Sequence, residues 1–196
     1  MLDLFLASTS PRRRELLTAA GLRFALCEPG PEYADGGSDH DHHEVGEPAQ
    51  LALARARRKA LGARAPDPTI PVLGVDTVVD LDGEELGKPR DRADAERLQR
   101  RLFGRTHLVH TAHVLAWPTR TDCVEELATA TVRCRVPAEV DLQRYLDSGE
   151  WVGKAGAYGI QDGSQAFLSL DAGAFDTVVG LHAAAVRRLL VRLGGR

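Results

Sequence analysis

Cysteine is scarce in this chain. Cys27, Cys123 and Cys134 are the only three in 196 residues, and they are widely scattered. That excludes a disulfide framework and a paired CxxC metal site, and it reads as reduced thiols in a cytoplasmic protein. A basic excess is missing too: the formal net charge is −3, so no overall positive field points to nucleic acid as a partner. No apolar run approaches the roughly 18 residues of a membrane span. The N-terminus lacks the apolar core of a signal peptide, because Asp3 interrupts it and arginines follow from position 12. Internal repeats and low-complexity tails are absent. What remains is the composition of a soluble globular protein, with length for one sizeable domain or two lobes sharing a core.

Strands and helices alternate along the chain. Leu2–Ala7 reads as a strand, followed by a helix with Ser10 as N-cap, Pro11 at its first position, and Gly21 as its stop. Leu22–Cys27 is a second strand, and the polar, glycine-rich residues 28–48 form a loop. A helix over Ala49–Ala65 leads to an apolar strand, IPVLGVDTVVDLDGEEL, with an Asp-Gly turn at 82–83. Asp91–Leu102 is a charged helix. Thr106–Trp117 and Val124–Val136 form an antiparallel pair. Pro137 opens a helix that ends near Gly149, Gln165–Leu170 is a strand, and Leu181–Leu193 is a final helix. The class is α/β with a mixed twisted sheet and flanking helices.

Three stretches carry chemistry. The first is ASTSPRRREL at 7–16. A strand running into a capped helix exposes free N–H groups, a ready anion site. Ser8, Thr9 and Ser10 add hydroxyl donors, and Arg12 and Arg13 offer bidentate bonds to phosphate oxygens. A helix terminus is worth about 0.3–1 kcal/mol to an anion, against about 1.5–3 kcal/mol for a hydrogen bond to a charged group, so the arginines dominate. Arg13 shares the helical stripe of Leu17 and Ala20 and points inward, whereas Arg14 turns to solvent. A solvated first turn with surface arginines is the plain alternative. The second stretch is GVDTVVDLDGEELGKP at 74–89. Asp76 interrupts apolar sequence, and a carboxylate there is either paired or used; its plain alternative is a strand-end turn cap. Lys88, beyond the hairpin turn, returns beside it. The third is KAGAYGIQDG at 154–163, whose glycines let backbone approach a ligand. Tyr158 could stack on a base and Gln161 read a base edge; an ordinary loop is the alternative.

Taken together, the segments LASTSPRRREL, LARARRKA, GVDTVVDLDGEELGKP, DSGEWVGKAGAYGIQ and FDTVVGL span nearly the whole chain, 1–196, as one domain. In this combination and order the chain resembles the Maf family of nucleoside triphosphate pyrophosphatases. The resemblance implies two α/β lobes around a nucleotide-binding cleft and metal-dependent hydrolysis of nucleotides to monophosphate and diphosphate. It implies Asp76 as the catalytic acid/base, and Arg12, Thr77 and Gln161 at specificity positions of the dTTP/UTP-cleaving type. Ser8, Arg13, Lys59 and Lys88 fall on the other polar cleft positions, and the KAGAYGIQ stretch adds Lys154 as a substrate-binding candidate. A divalent cation, magnesium or manganese, is implied at Asp76 and Glu32, and the family is biased towards homodimers. The chain departs from the pattern at several points. Tyr33 replaces the second residue of an acidic pair, Gly153 replaces an aspartate, Asp162 a glycine, and His182 a proline; TAHV at 111–114 replaces a more usual Thr-Gly.

The histidines are a separate matter. DHDHHE at 39–44 has ligand-rich composition, but its spacing is too tight for a preformed tetrahedral site, and a solvated loop is the expectation. His107 and His113 share a strand face that His110 does not. Two functions follow: a pyrophosphatase acting on dTTP, UTP and modified pyrimidine nucleotides, or a nucleotide-binding regulator of cell division with little turnover. Intact Asp76, Lys59 and Lys88 favour the first; Tyr33 favours the second.

Overall fold

The computed structural model describes residues 1–33, 44–119 and 122–194. The elements run β1 (Leu4–Ala7), α1 (Pro11–Ala19), β2 (Phe24–Leu26), α2 (Pro48–Leu61), β3 (Val72–Leu81), β4 (Glu84–Leu86), α3 (Arg92–Leu102), β5 (Thr106–Ala116), β6 (Cys123–Cys134), α4 (Glu139–Ser148), β7 (Leu168–Ala172), α5 (Phe175–Val179) and α6 (Ala183–Gly194). They build one mixed sheet in the order β2-β1-β3-β5-β6-β7, with β4 added to β3. β1 is parallel to β2 and β3, and the remaining pairs are antiparallel. The expected α/β class with a mixed sheet is what is observed.

Several boundaries differ from the expectation. The helix expected to run to Ala65 stops at Leu61, and Arg64 forms a bridge with Glu28 instead. Ser10 sits at the N-cap of α1, but its side chain makes no capping bond. Pro137 does not open α4, which begins at Glu139. Residues Gly163–Ala166 form a 3₁₀ turn, and the strand expected at 165 starts at Leu168. The turn at 82–83 is as expected, with Asp82 and Gly83 both at positive φ.

β3 organises the molecule. Its odd residues face five helices. Leu73 and Val75 join a cluster with β1, α1 and α6, while Val79 and Leu81 join a second cluster with α3 and α4. Between these two apolar zones lies a polar row, Thr77 opposite Thr111. The even residues face α2. There Ala52, Ala56 and Ala60, one residue per helical turn, pack on Val78, Ala112 and Val114. The approach is so close that a Cβ on Gly74 would lie 2.3 Å from the Ala56 carbonyl oxygen. The next row of α2 along is Leu51, Arg55 and Lys59, which brings two cations into the buried side of the helix.

The edge of β3 opposite β5 is only partly paired. β1 covers Val72–Gly74 and β4 covers Val79–Leu81. Residues 75–78 lie between them, so a notch opens at Asp76 and Thr77.

Two histidines of β5 are buried on the five-helix face. His107 Nε2 lies 2.6 Å from the Tyr158 hydroxyl. His113 Nε2 accepts the backbone N–H of His182 at 2.8 Å, which places the ring proton on Nδ1, towards the Glu126 carbonyl oxygen at 3.3 Å. Burial pushes both imidazoles down, to about 4. The unfolded chain therefore takes up these protons first, near the unperturbed value of about 6.5. The stabilising contribution is complete above that value and is lost as pH falls through the window towards 4. Urea-unfolding free energy should drop between about pH 6.5 and pH 5 by up to roughly 1.4 kcal/mol per pH unit per histidine. His107→Phe should reduce that slope; an unchanged slope would show that His107 does not carry it.

Candidate active site

The notch opens into a cavity of about 680 Å³. Every candidate from the sequence lines it: Ser8, Arg12, Arg13, Glu32, Lys59, Asp76, Thr77, Lys88, Lys154 and Gln161. Arg14 is exposed and does not. His40, His42 and His43 lie outside the described residues.

Asp76 is 3% exposed. Its Oδ1 accepts a hydrogen bond from Lys59 Nζ at 2.7 Å, and its Oδ2 is buried with no partner among the described residues. Lys59 Nζ also lies 2.9 Å from Glu32 Oε2, so one ammonium bridges both carboxylates. Lys88 Nζ stands 3.7 Å from Glu32 Oε1. Among the described residues no group of three His, Cys, Asp or Glu side chains gathers as a metal cage.

Arg13 reaches inward across the polar row. Its Nε donates to the Gly180 carbonyl oxygen at 3.0 Å, Nη1 to Ser8 Oγ at 3.1 Å and Nη2 to Thr77 Oγ1 at 3.3 Å. The hydroxyl proton of Thr111 goes to the Thr177 carbonyl oxygen at 2.7 Å. Thr77 must therefore donate to Thr111, 3.0 Å away, leaving its own lone pairs to Arg13. A single direction of donation runs from the guanidinium through two hydroxyls to α5. All the hydrogen bonds of Arg13 among the described residues thus end on neutral oxygens. Burial pulls the guanidinium below the ordinary arginine range, and Asp76 and Glu32 oppose the shift. A charged arginine in such a setting lacks a bonded anion. Ser8 Oγ also accepts the Ser10 N–H at 3.2 Å, so the turn into α1 is held while Arg12 lines the cavity beside it.

Two candidates have their polar ends engaged within the protein. Tyr158 is buried with its hydroxyl on His107, so the ring is part of the cavity wall and its polar end faces the core. Lys154 has its ammonium on Asp162 and the Glu150 carbonyl oxygen.

Arg55 was not among the candidates. It is 3% exposed and grips Glu85 with two bonds of 2.5 and 2.9 Å, and Glu44 with a third of 3.1 Å. Its guanidinium carbon lies 5.0 Å from the centre of the Tyr33 ring. Arg58 binds Glu44 and the Glu32 carbonyl oxygen. The arginines of α2 thus brace the segment that carries Glu32. The sequence signal is the four-residue spacing from Arg55 to Lys59.

The family model for Maf-like proteins matches residues 3–193. Curated relatives include the dTTP/UTP pyrophosphatase of Thermus thermophilus, 44% identical over 98% of this chain and 96% of its own length. Those of Bordetella parapertussis and Salmonella typhimurium are each 44% identical as well. They cover 91% and 92% of this chain and 86% and 88% of their own lengths. With its cleft residues lining one cavity and its sequence matched almost end to end, the chain belongs to the Maf family.

Proposed function

We propose that this protein is a nucleoside triphosphate pyrophosphatase acting on dTTP and UTP. The observation that carries the reading is Asp76: a buried carboxylate with one oxygen neutralised by Lys59 and the other without a partner among the described residues, at the wall of a cavity rich in phosphate-binding groups. Relatives named dTTP/UTP pyrophosphatase support the substrate class.

The triphosphate lies on Arg12, Arg13 and the N-terminal end of α1, with Lys88 opposite. Asp76 Oδ2 takes a proton from a water, whose oxygen bonds to the α-phosphorus while the bond from that phosphorus to the bridging oxygen breaks. Diphosphate leaves, and nucleoside monophosphate remains. Lys59, bonded to Asp76 Oδ1, orients the carboxylate for this step. Gln161 and Arg12, which line the same cavity, would read the base. The carboxylates of Glu32 and Asp76, brought together at Lys59, would hold a magnesium or manganese ion that arrives with the substrate, since such ions are held by one or two carboxylates plus phosphate oxygens. Bound there, it would offset charge on the phosphates. A cytoplasmic location and a homodimer belong to the same reading. No helix among the described residues is long and apolar enough to cross a membrane.

Asp76→Asn should lower kcat for UTP by about 10²–10⁴-fold while calorimetric nucleotide binding survives. A variant that keeps half the wild-type rate would remove Asp76 from the role. A wild type that binds UTP without turnover would favour the regulator.

The arginines should separate by kcat/KM for dTTP, UTP, CTP and GTP. Arg13→Ala should cost about 2–4 kcal/mol of transition-state stabilisation. Arg12→Ala should lower activity and flatten the pyrimidine preference. Arg14→Ala should stay within about 0.5 kcal/mol of wild type. A dominant loss at Arg14 would misplace the phosphate site.

A further inference from the structure

The loop that presents Gln161 is closed by its own ion pair. Lys154 Nζ binds Asp162 Oδ2, and the two side chains are only 12% and 15% exposed. The same ammonium holds the Glu150 carbonyl oxygen. From the other side, the Glu150 carboxylate accepts the Gly163 N–H at 2.8 Å. Inside the ring, Asp162 N–H and Ser164 Oγ both donate to the Gly159 carbonyl oxygen, at 2.9 and 2.7 Å. Gly159 packs so tightly that a Cβ there would lie 2.2 Å from Asp162 Oδ2. Gln161, next to the latched aspartate, is exposed at the cavity and has no hydrogen-bond partner among the described residues.

We propose that the Lys154–Asp162 pair is a latch that sets the position of Gln161, and that Lys154 is a positioning residue for base selection rather than a ligand of the phosphates. The inference rests on the pyrophosphatase reading above. The physical reason is the state of the ammonium. A nearly buried cation already bonded to a carboxylate has little charge to offer a triphosphate, and breaking that pair would leave Asp162 buried and uncompensated. The pair spans nine residues of loop, 154–162, and a side chain reading a base edge depends on where that loop is pinned.

The two roles for Lys154 predict opposite signs for one substitution. If the pair is a latch, Asp162→Asn should raise KM for dTTP and UTP and reduce their preference over GTP, each by about tenfold, with kcat changed less than about threefold. The affinity for inorganic triphosphate should not change. The charge-swapped variant, Lys154→Asp with Asp162→Lys, should recover selectivity. If Lys154 is a phosphate ligand, Asp162→Asn frees its charge, inorganic triphosphate binds more tightly, and the swap loses every nucleotide equally; that result overturns the latch. Amide hydrogen exchange of residues 159–162 supplies a readout independent of turnover. Exchange should accelerate in Asp162→Asn and return towards wild type in the swap. Unchanged exchange in Asp162→Asn overturns the latch whether or not the protein hydrolyses nucleotides. Should Asp162→Asn fail to fold, the swap carries the same decision: selectivity kept means latch, selectivity lost means none. Lack of any turnover in the wild type, with altered exchange in Asp162→Asn, would count against the pyrophosphatase reading alone.

Discussion

One lysine holds two carboxylates, and the site depends on it. Lys59 Nζ lies 2.7 Å from Asp76 Oδ1 and 2.9 Å from Glu32 Oε2. A carboxylate as buried as Asp76 would be costly to keep ionised without such a partner. With it, one oxygen is neutralised and the other is left unpaired at the cavity. That division requires α2 to lie against β3, and the alanine row of α2 and the absent side chain of Gly74 permit the approach. The notch between the pairings of β1 and β4 then opens the edge of β3 to ligand at Asp76 and Thr77. The chemistry therefore follows from a packing decision made on the opposite face from most of the helices.

Charge in the cavity is divided with the same economy. Acidic groups meet lysines: Asp76 and Glu32 on Lys59, Glu32 near Lys88. Among the described residues Arg13 meets only neutral oxygens, and these tie it to β3, the C-terminal cap of α5 and the turn before α1 at once. The guanidinium is thus fixed in direction before any ligand arrives, the preorganisation that makes electrostatic stabilisation effective. The departure at Tyr33 is absorbed in the same region. Its ring lies beneath Arg55, whose charge is met by Glu85 and Glu44. The position expected to be acidic is occupied by an aromatic partner of a buried arginine, and Glu32 beside it reaches Lys59.

Much of this was legible in the sequence where local rules govern. The inward turn of Arg13 follows from helical periodicity with Leu17, and Asp76 stands out as a carboxylate in an apolar strand. The hairpin at 82–83 follows from Asp-Gly chemistry, and the split of His107 and His113 from His110 from strand alternation. What stayed hidden depends on partners far along the chain. Arg55 looks like one charge among several on an alanine-rich helix until Glu85, thirty residues on, folds against it. Lys154 looks like a free substrate-binding cation until Asp162 claims it. Tyr158 looks like a base-stacking ring until His107 takes its hydroxyl. The start of β7 was missed because residues 163–166 take a 3₁₀ turn held by side-chain contacts, and Pro137 precedes α4 without opening it. The role of Lys59 came from family resemblance, whereas Ser8 as a hydroxyl donor and Gln161 as a reader of a base edge were legible in their own stretches.

The central claim is that Asp76 directs water at the α-phosphorus, and isotope position tests it most directly. Hydrolysis of UTP in heavy-oxygen water, with the products separated and weighed by mass spectrometry, should place the label in the nucleoside monophosphate and leave diphosphate unlabelled. Label in the diphosphate, or release of orthophosphate in its place, would contradict the account, because attack would then fall on another phosphorus and the carboxylate in the notch would not be the group that guides it.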